Sequence, residues 1–182
     1  IFTNSKYKKK NKLINNKFVW SVQRNKGLDD FIKIWIKKIY PLNFKSELHI
    51  FKKNENKNLL NNYNIYFHGK VPRNHLLNFY KKSSSMICLG YDETFCLNAI
   101  EAMSMGLPVI SLGETALNEI IIHNVNGYKV NKLNKIHLAI IKFLKLSYKK
   151  KVKLSNSSIK FSSKYNSEKI FKKWDELILN KP

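Results

Sequence analysis

Two carboxylates, Glu93 and Glu101, stand with seven residues between them, Phe95, Cys96 and Leu97 included. Glu93 lies in a polar loop, Gly90 to Thr94, that follows an apolar run. Glu101 sits among Ala99, Ile100, Ala102 and Met103, neighbours that predict a partly buried helical position. A carboxylate removed from water needs hydrogen-bond donors, and ligand hydroxyls would supply them. A helix opening near Phe95 also presents unpaired backbone N–H groups and the positive end of its dipole, which together favour an anion. Carboxylates for hydroxyls and amides for a phosphate suit a phosphorylated sugar. Spacing alone does not single out this pair, because Glu47/Glu55 and Glu168/Glu176 repeat it. The first of those spans a strand and a loop with no helix start. The second lies on a lysine-rich amphipathic stretch and reads as solvated. Only Glu93/Glu101 combines strand, loop and helix start.

Cations come from a second loop. Arg24 and Lys26 precede another helix start, which again favours a phosphate. An ordinary basic surface turn is the competing reading of the same residues. Gly69 closes an apolar run, and a glycine there permits close approach of backbone to a planar base; as a plain turn glycine it would need no ligand. The chain holds only two arginines, Arg24 and Arg73, against 32 lysines. In such a background arginine is expected where a planar fork of donors is needed. The five histidines show no metal-ligand spacing with each other or with Cys88 and Cys96. Cys96 at a helix start has no local histidine to activate it as a nucleophile. Trp20, Trp35 and Trp174 fall at core-like spacings.

The elements that must position these residues alternate. Strands are predicted at Phe18 to Val22, Glu47 to Phe51, Ile65 to His68, Ser85 to Leu89, Val109 to Ser111 and Tyr128 to Val130. Helices are predicted from Leu28 to a stop at Pro41, over Arg73 to Tyr80, from about Phe95 to Met105, over Ala116 to Ile122, and at about 133–147, 150–162 and 167–179. A lysine- and asparagine-rich loop is expected between the second and third strands. Strand–helix alternation predicts right-handed crossovers and a doubly wound parallel α/β sheet of the Rossmann-like class, with its ligand at the carboxyl ends of the strands. No Walker A or G-x-G-x-x-G sequence occurs, which disfavours a P-loop nucleotidase and a standard dinucleotide site. Residues 1–16 read as a linker, 17–150 as the Rossmann-like domain and 151–182 as C-terminal helices.

Composition bounds the rest. Of the 182 residues, 43% are hydrophobic, enough for a core. Two cysteines exclude a disulfide scaffold, and no uncharged apolar run reaches the length of a membrane span. The net charge of +22 suggests a polyanion binder, either for nucleic acid or for an anionic membrane. The excess is nearly all lysine, spread along the chain and accompanied by 23 asparagines. That pattern reads as compositional drift, since nucleic-acid interfaces recruit arginine. The chain opens on Ile1 rather than methionine and is expected to belong to something longer.

Four stretches carry a resemblance. Phe18 to Leu28, Asn64 to Val71, Glu93 to Ile110 (an E-x7-E motif running into E-A-M-x-x-G-x-P-V-I) and Asn118 to Gly127 resemble, in order, the C-terminal donor-binding domain of a family 4, retaining glycosyltransferase of the GT-B fold. The resemblance covers about residues 17 to 130. It implies a nucleotide-sugar donor, UDP- or GDP-linked, as substrate, with no metal or other cofactor. Arg24 and Lys26 would contact the diphosphate, and backbone near Gly69 and Val71 would frame the base. Glu101 would hold the ribose hydroxyls and Glu93 the transferred sugar. The amides around Phe95, Cys96 and Leu97 would meet the sugar–phosphate. Catalytic roles are thus expected of Glu93, Arg24 and Lys26. The acceptor would be a glycan, a lipid-linked or a small molecule. A separate N-terminal acceptor domain, absent from this chain, would complete the enzyme, which is expected in the cytoplasm or peripherally on the inner face of the membrane. No specific nucleic-acid partner is implied. The chain departs from the family pattern at Thr94 and Cys96, both usually glycine, and at Gly113 to Ala116, where a Gly-Gly pair is usual.

Overall fold

The structure is a computed structural model that describes residues 16–22, 27–53, 57–91 and 94–166, with isolated positions of the C-terminal stretch. Six short strands form one sheet: β1 (Lys17–Trp20), β2 (Glu47–Ile50), β3 (Ile65–Phe67), β4 (Ser85–Ile87), β5 (Val109–Ser111) and β6 (Gly127–Lys129). Their order is β3-β2-β1-β4-β5-β6 and every pairing is parallel. The buried strands read as apolar runs because helices cover both faces. Phe18, Val19, Trp20, Met86, Ile87, Val109 and Ile110 are fully buried.

Among the described residues six α-helices accompany the sheet: α1 (Leu28–Ile34), α2 (Arg73–Lys81), α3 (Leu97–Ser104), α4 (Leu117–Ile120), α5 (Ile136–Leu144) and α6 (Tyr148–Ser162). The chain winds outward from β1 to β3, then crosses back to β4 and winds the other way. Right-handed connections therefore put α1 on one face and α2, α3 and α4 on the other. On the first face Phe18 meets Trp35 at 5.7 Å and Phe143 of α5 at 6.0 Å, while Trp20 stacks on Phe31 at 5.7 Å. Trp20 and Trp35 are thus core residues, as their spacing predicts; Trp174 lies outside the described residues. On the second face, serines of α6 tie it to loops beneath α3: Ser155 Oγ donates to the Gly106 carbonyl and Ser158 Oγ to that of Asn126.

Two elements differ from the sequence reading. The first helix is α-helical only to Ile34; Trp35–Ile39 widens into a π turn and Tyr40–Leu42 tightens into a 3-10 turn. Pro41 offers no N–H and its ring conflicts with the carbonyl four residues back, so the ladder changes register ahead of it. The expected loop after β2 contains a 3-10 helix, Lys57–Tyr63. It is held where the Trp35 indole donates to the Tyr63 carbonyl at 3.0 Å, a tie that local composition does not encode. The anticipated last helix lies mostly outside the described residues, although Phe171 and Ile178 are exposed.

The Asn126-Gly127 pair has a structural task. Asn126 is fully buried; its Oδ1 accepts from the Ile122 N–H at 2.7 Å and its Nδ2 donates to the Ile120 carbonyl at 3.0 Å, closing the turn after α4. Gly127 then enters β6 so close to β5 that a Cβ there would overlap the Val109 carbonyl oxygen. Gly69 differs: its φ is +74° and a Cβ would meet nothing within 4 Å. Gly127→Ala is therefore expected to cost more than about 3 kcal/mol in urea unfolding. Gly69→Ala should cost only about 1 kcal/mol, that of the left-handed backbone. Equal losses would contradict the packing at β5–β6.

Candidate functional site

The connections leave β1 and β4 in opposite directions, opening a crevice at their carboxyl ends. Three ties define its floor. Ser21, just past β1, gives its carbonyl to Asn98 Nδ2 of α3 at 3.0 Å. Its hydroxyl lies 2.6 Å from the Tyr80 hydroxyl of α2. Burial pushes the Tyr80 phenol well above its ordinary value, against the opposing bond from Ser21, so it stays neutral and holds this contact. Gly27, at φ +83°, caps α1 so tightly beneath the β4 loop that an added Cβ would lie 2.7 Å from the Tyr91 ring. The loops after β1 and β4 are thus packed edge to edge.

Helix α3 points into this crevice. It opens at Leu97, two residues later than predicted, because Cys96 takes a left-handed conformation at φ 55° and ends the loop. The Cys96 side chain makes no capping hydrogen bond to the helix. Its first amides, Leu97 and Asn98, have no intrahelical acceptor and face the loop end. Phe95 and Leu97 are exposed, whereas Cys96 is buried with its Sγ 3.3 Å from that of Cys88. Neither cysteine is in a disulfide. Phe95 meets the Tyr165 ring edge-on at 5.4 Å, so the turn after α6 supports the loop. Thr115 Oγ1 donates to the Gly90 carbonyl at 2.8 Å, joining the loop after β5 to the loop after β4.

Glu101 is partly buried, as its apolar neighbours predict, and its carboxylate is engaged. Arg73 Nε and Nη2 both donate to Oε1, at 2.8 and 2.6 Å. Arg73 is the first residue of α2, four residues after Gly69, so the turn expected to frame a base and the helix expected to hold a ribose are joined by an ion pair. Sequence reasoning leaves Arg73 between crevice and solvent; the scarcity of arginine was the signal that could have placed it. It does not find Asn98, whose type and first-turn position were the available signal. Gly69 lies at the mouth of β3, and Val71 is half-buried against the core. Arg24, Lys26 and Glu93 lie outside the described residues.

A polar chain runs beneath the outer strands. Glu47 Oε2 receives Lys17 Nζ at 2.8 Å and His49 Nε2 at 2.8 Å, and His49 Nδ1 lies 2.9 Å from His68 Nε2. A carboxylate only accepts, so His49 carries its proton on Nε2 and accepts at Nδ1 from the His68 Nε2–H. Both rings are neutral in this arrangement. Burial, opposed by the Glu47 bond and reinforced by His68, pushes His49 down to about 4. Among the described residues no group of three or more His, Cys, Asp or Glu is placed to hold a metal. No described helix is long and apolar enough to cross a membrane.

Residues 3–161 match the family described as glycosyl transferases group 1. The chain belongs to that family. A relative, an uncharacterized glycosyltransferase of Haemophilus influenzae, is 30% identical over 183 residues, covering 93% of this chain and 51% of that protein. The chain thus spans about half the length of the curated relative it matches. Among solved structures, the C-terminal domain of the group 1 protein LpcC from Francisella tularensis superposes with a TM-score of 0.66 at 20% identity, over 87% of this chain and 94% of that one. HepE of Anabaena, solved with UDP and glucose, superposes at 0.74 with 13% identity, over 92% of this chain and 49% of that one. The shared architecture is the C-terminal Rossmann-like half of GT-B glycosyltransferases.

Two measurements check the site's scaffold. The unfolded chain binds a proton at His49 near pH 6.5, while the folded chain resists protonation down to about 4. Stability is therefore expected to fall as pH is lowered from about 6.5 to about 4, by about 3 kcal/mol for this group. His49→Gln should flatten urea-midpoint profiles there; an unchanged slope would refute the assignment. Cys96→Val should destabilise more than Cys96→Gly, because a β-branched side chain is the worse fit at positive φ. Thermal unfolding of the two variants decides the order.

Proposed function

We propose that this chain is the donor-binding half of a retaining, family 4 glycosyltransferase that moves a sugar from a nucleoside-diphosphate sugar to an acceptor. The observation that carries the reading is the junction at the β1–β4 crevice. The α3 N-terminus, which the Cys96 side chain does not cap, and the Glu101 carboxylate, on one helix, adjoin the Gly69 turn through Arg73. A nucleotide sugar offers a matching order of groups. Its base lies along the open turn at Gly69 and Val71. Its ribose hydroxyls donate to Glu101. Its diphosphate meets Arg24, Lys26 and the amides at Phe95, Cys96 and Leu97. Glu93 addresses the sugar itself.

The chemistry follows from charge. Transfer leaves negative charge on the departing nucleoside diphosphate. Preorganised cations and aligned N–H groups lower the barrier by stabilising that charge as it develops. Helix α3 is held by the Asn98–Ser21 bond and by α6, so it need not reorganise during the step. The acceptor wall is expected from a second domain, so the 182 residues tested alone should bind donor nucleotide but transfer little. The basic surface is available to hold such an enzyme against an anionic membrane carrying a lipid-linked acceptor. Solved neighbours that hold UDP, HepE and TarM of S. aureus among them, make UDP the first nucleotide to test.

Calorimetric titration of UDP and GDP at moderate salt checks the reading. One nucleotide is expected to bind, and Glu101→Ala to weaken it by about 1–3 kcal/mol, roughly 5- to 150-fold. Binding of neither, or binding that ignores the substitution and vanishes with salt, would overturn it.

A further inference from the structure

The geometry points to Arg73 as a positioning residue that sets the site's preference for ribonucleotides over deoxyribonucleotides; the inference rests on the donor-site reading above. Both of its contacts, Nε at 2.8 Å and Nη2 at 2.6 Å, fall on the same oxygen, Glu101 Oε1. Two N–H donors fill the two lone pairs of a carboxylate oxygen. Oε1 is therefore saturated. Oε2 has no hydrogen-bond partner among the described residues. The Glu101 side chain keeps 13% of its surface open, so what the crevice meets is a single unoccupied oxygen, held at a fixed angle. A carboxylate so fixed can take the hydroxyls of a ribose at Oε2 without first ordering its own rotor.

The pairing also explains why arginine stands at this position in a chain that otherwise uses lysine. An ammonium is one compact point charge; a guanidinium delivers two parallel N–H groups and fixes an orientation. Arg73 starts α2, and Pro72 before it holds an extended backbone at φ −57°, ψ 148°. Its backbone is thus set by the turn that begins at Gly69. At 49% side-chain exposure the guanidinium is not a core group, so its removal should leave the fold intact. Arg73 touches the carboxylate and acts through it on the ribose.

The test is binding of UDP, 2′-deoxy-UDP and 3′-deoxy-UDP to the 182-residue chain and to Arg73→Ala, Arg73→Lys and Glu101→Gln, with circular dichroism and thermal unfolding for each. The native chain is expected to prefer UDP over at least one deoxy form by about tenfold or more, because a site built for a hydroxyl is left with an unmet group when it is missing. Arg73→Ala should lower that ratio severalfold while the deoxy form binds nearly as before. Arg73→Lys should restore it only in part, and Glu101→Gln should reduce it as well. If Arg73→Ala weakens all three ligands equally, the guanidinium supplies only charge and the inference falls, while the donor reading stands. If a folded native chain binds none of the three, the donor reading falls and takes the inference with it.

Discussion

Parallel strands β1 and β4 lie side by side while their connections depart in opposite directions, and the site depends on that divergence. The first turn of α3 faces the space above the two strand ends. A bond of 3.0 Å between Asn98 and the Ser21 carbonyl keeps the two halves of the sheet in step there. Without it the helix dipole and the β1 loop would share a crevice without sharing a geometry. The tie is short because both partners sit within a turn of their strand or helix end. Its cost is a side chain committed to structure at the most accessible end of α3.

Charge on this chain divides into two kinds. Most of the +22 is lysine on solvated faces, which raises a diffuse field that salt screens within about 10 Å. The Arg73–Glu101 pair is different in kind, since Glu101 is nearly covered and the contact is a two-pronged hydrogen bond. A half-covered pair of this sort contributes little to stability, as the desolvation of its charges offsets their attraction. Its value is orientation. The His68–His49–Glu47–Lys17 chain is likewise a way to keep a carboxylate and two rings satisfied near the Gly69 turn, and the neutrality of both rings near pH 7 keeps further positive charge away from that turn.

Most of the fold was legible because a parallel sheet writes itself as apolar runs separated by helical periods. All six strands fall at or within a residue of the predicted runs, and the glycine turns at Gly69 and Gly106 close the elements they follow. The losses lie where a distant residue decides a local shape. The 3-10 helix at Lys57–Tyr63 hangs on the Trp35 indole, and the π turn answers Pro41. For the site, the apolar neighbours of Glu101 predicted its partial burial correctly. Its partner Arg73 lies 28 residues earlier on another helix, a separation no local pattern bridges. Only composition, two arginines among so many lysines, carried a trace of it.

The departures from the family pattern at Thr94 and Cys96 have a physical reading. A non-glycine residue at φ 55° carries strain of about 1 kcal/mol, and such strain persists where surrounding structure overrides it. Here the override is burial: the Cys96 side chain points inward, against the Cys88 thiol at 3.3 Å, in a pocket also closed by the end of β4. A glycine would relieve the backbone and empty that pocket. Cysteine fills it and forces Phe95 and Leu97, on either side, to face outward. The two large apolar side chains then flank the amides at the helix start. They would shield an anion at the helix start from water, and so strengthen each N–H bond the helix end offers it. The loop thus exchanges backbone freedom for a fixed, partly apolar rim, and that rim rather than the carboxylates is where this chain differs most from its relatives' pattern.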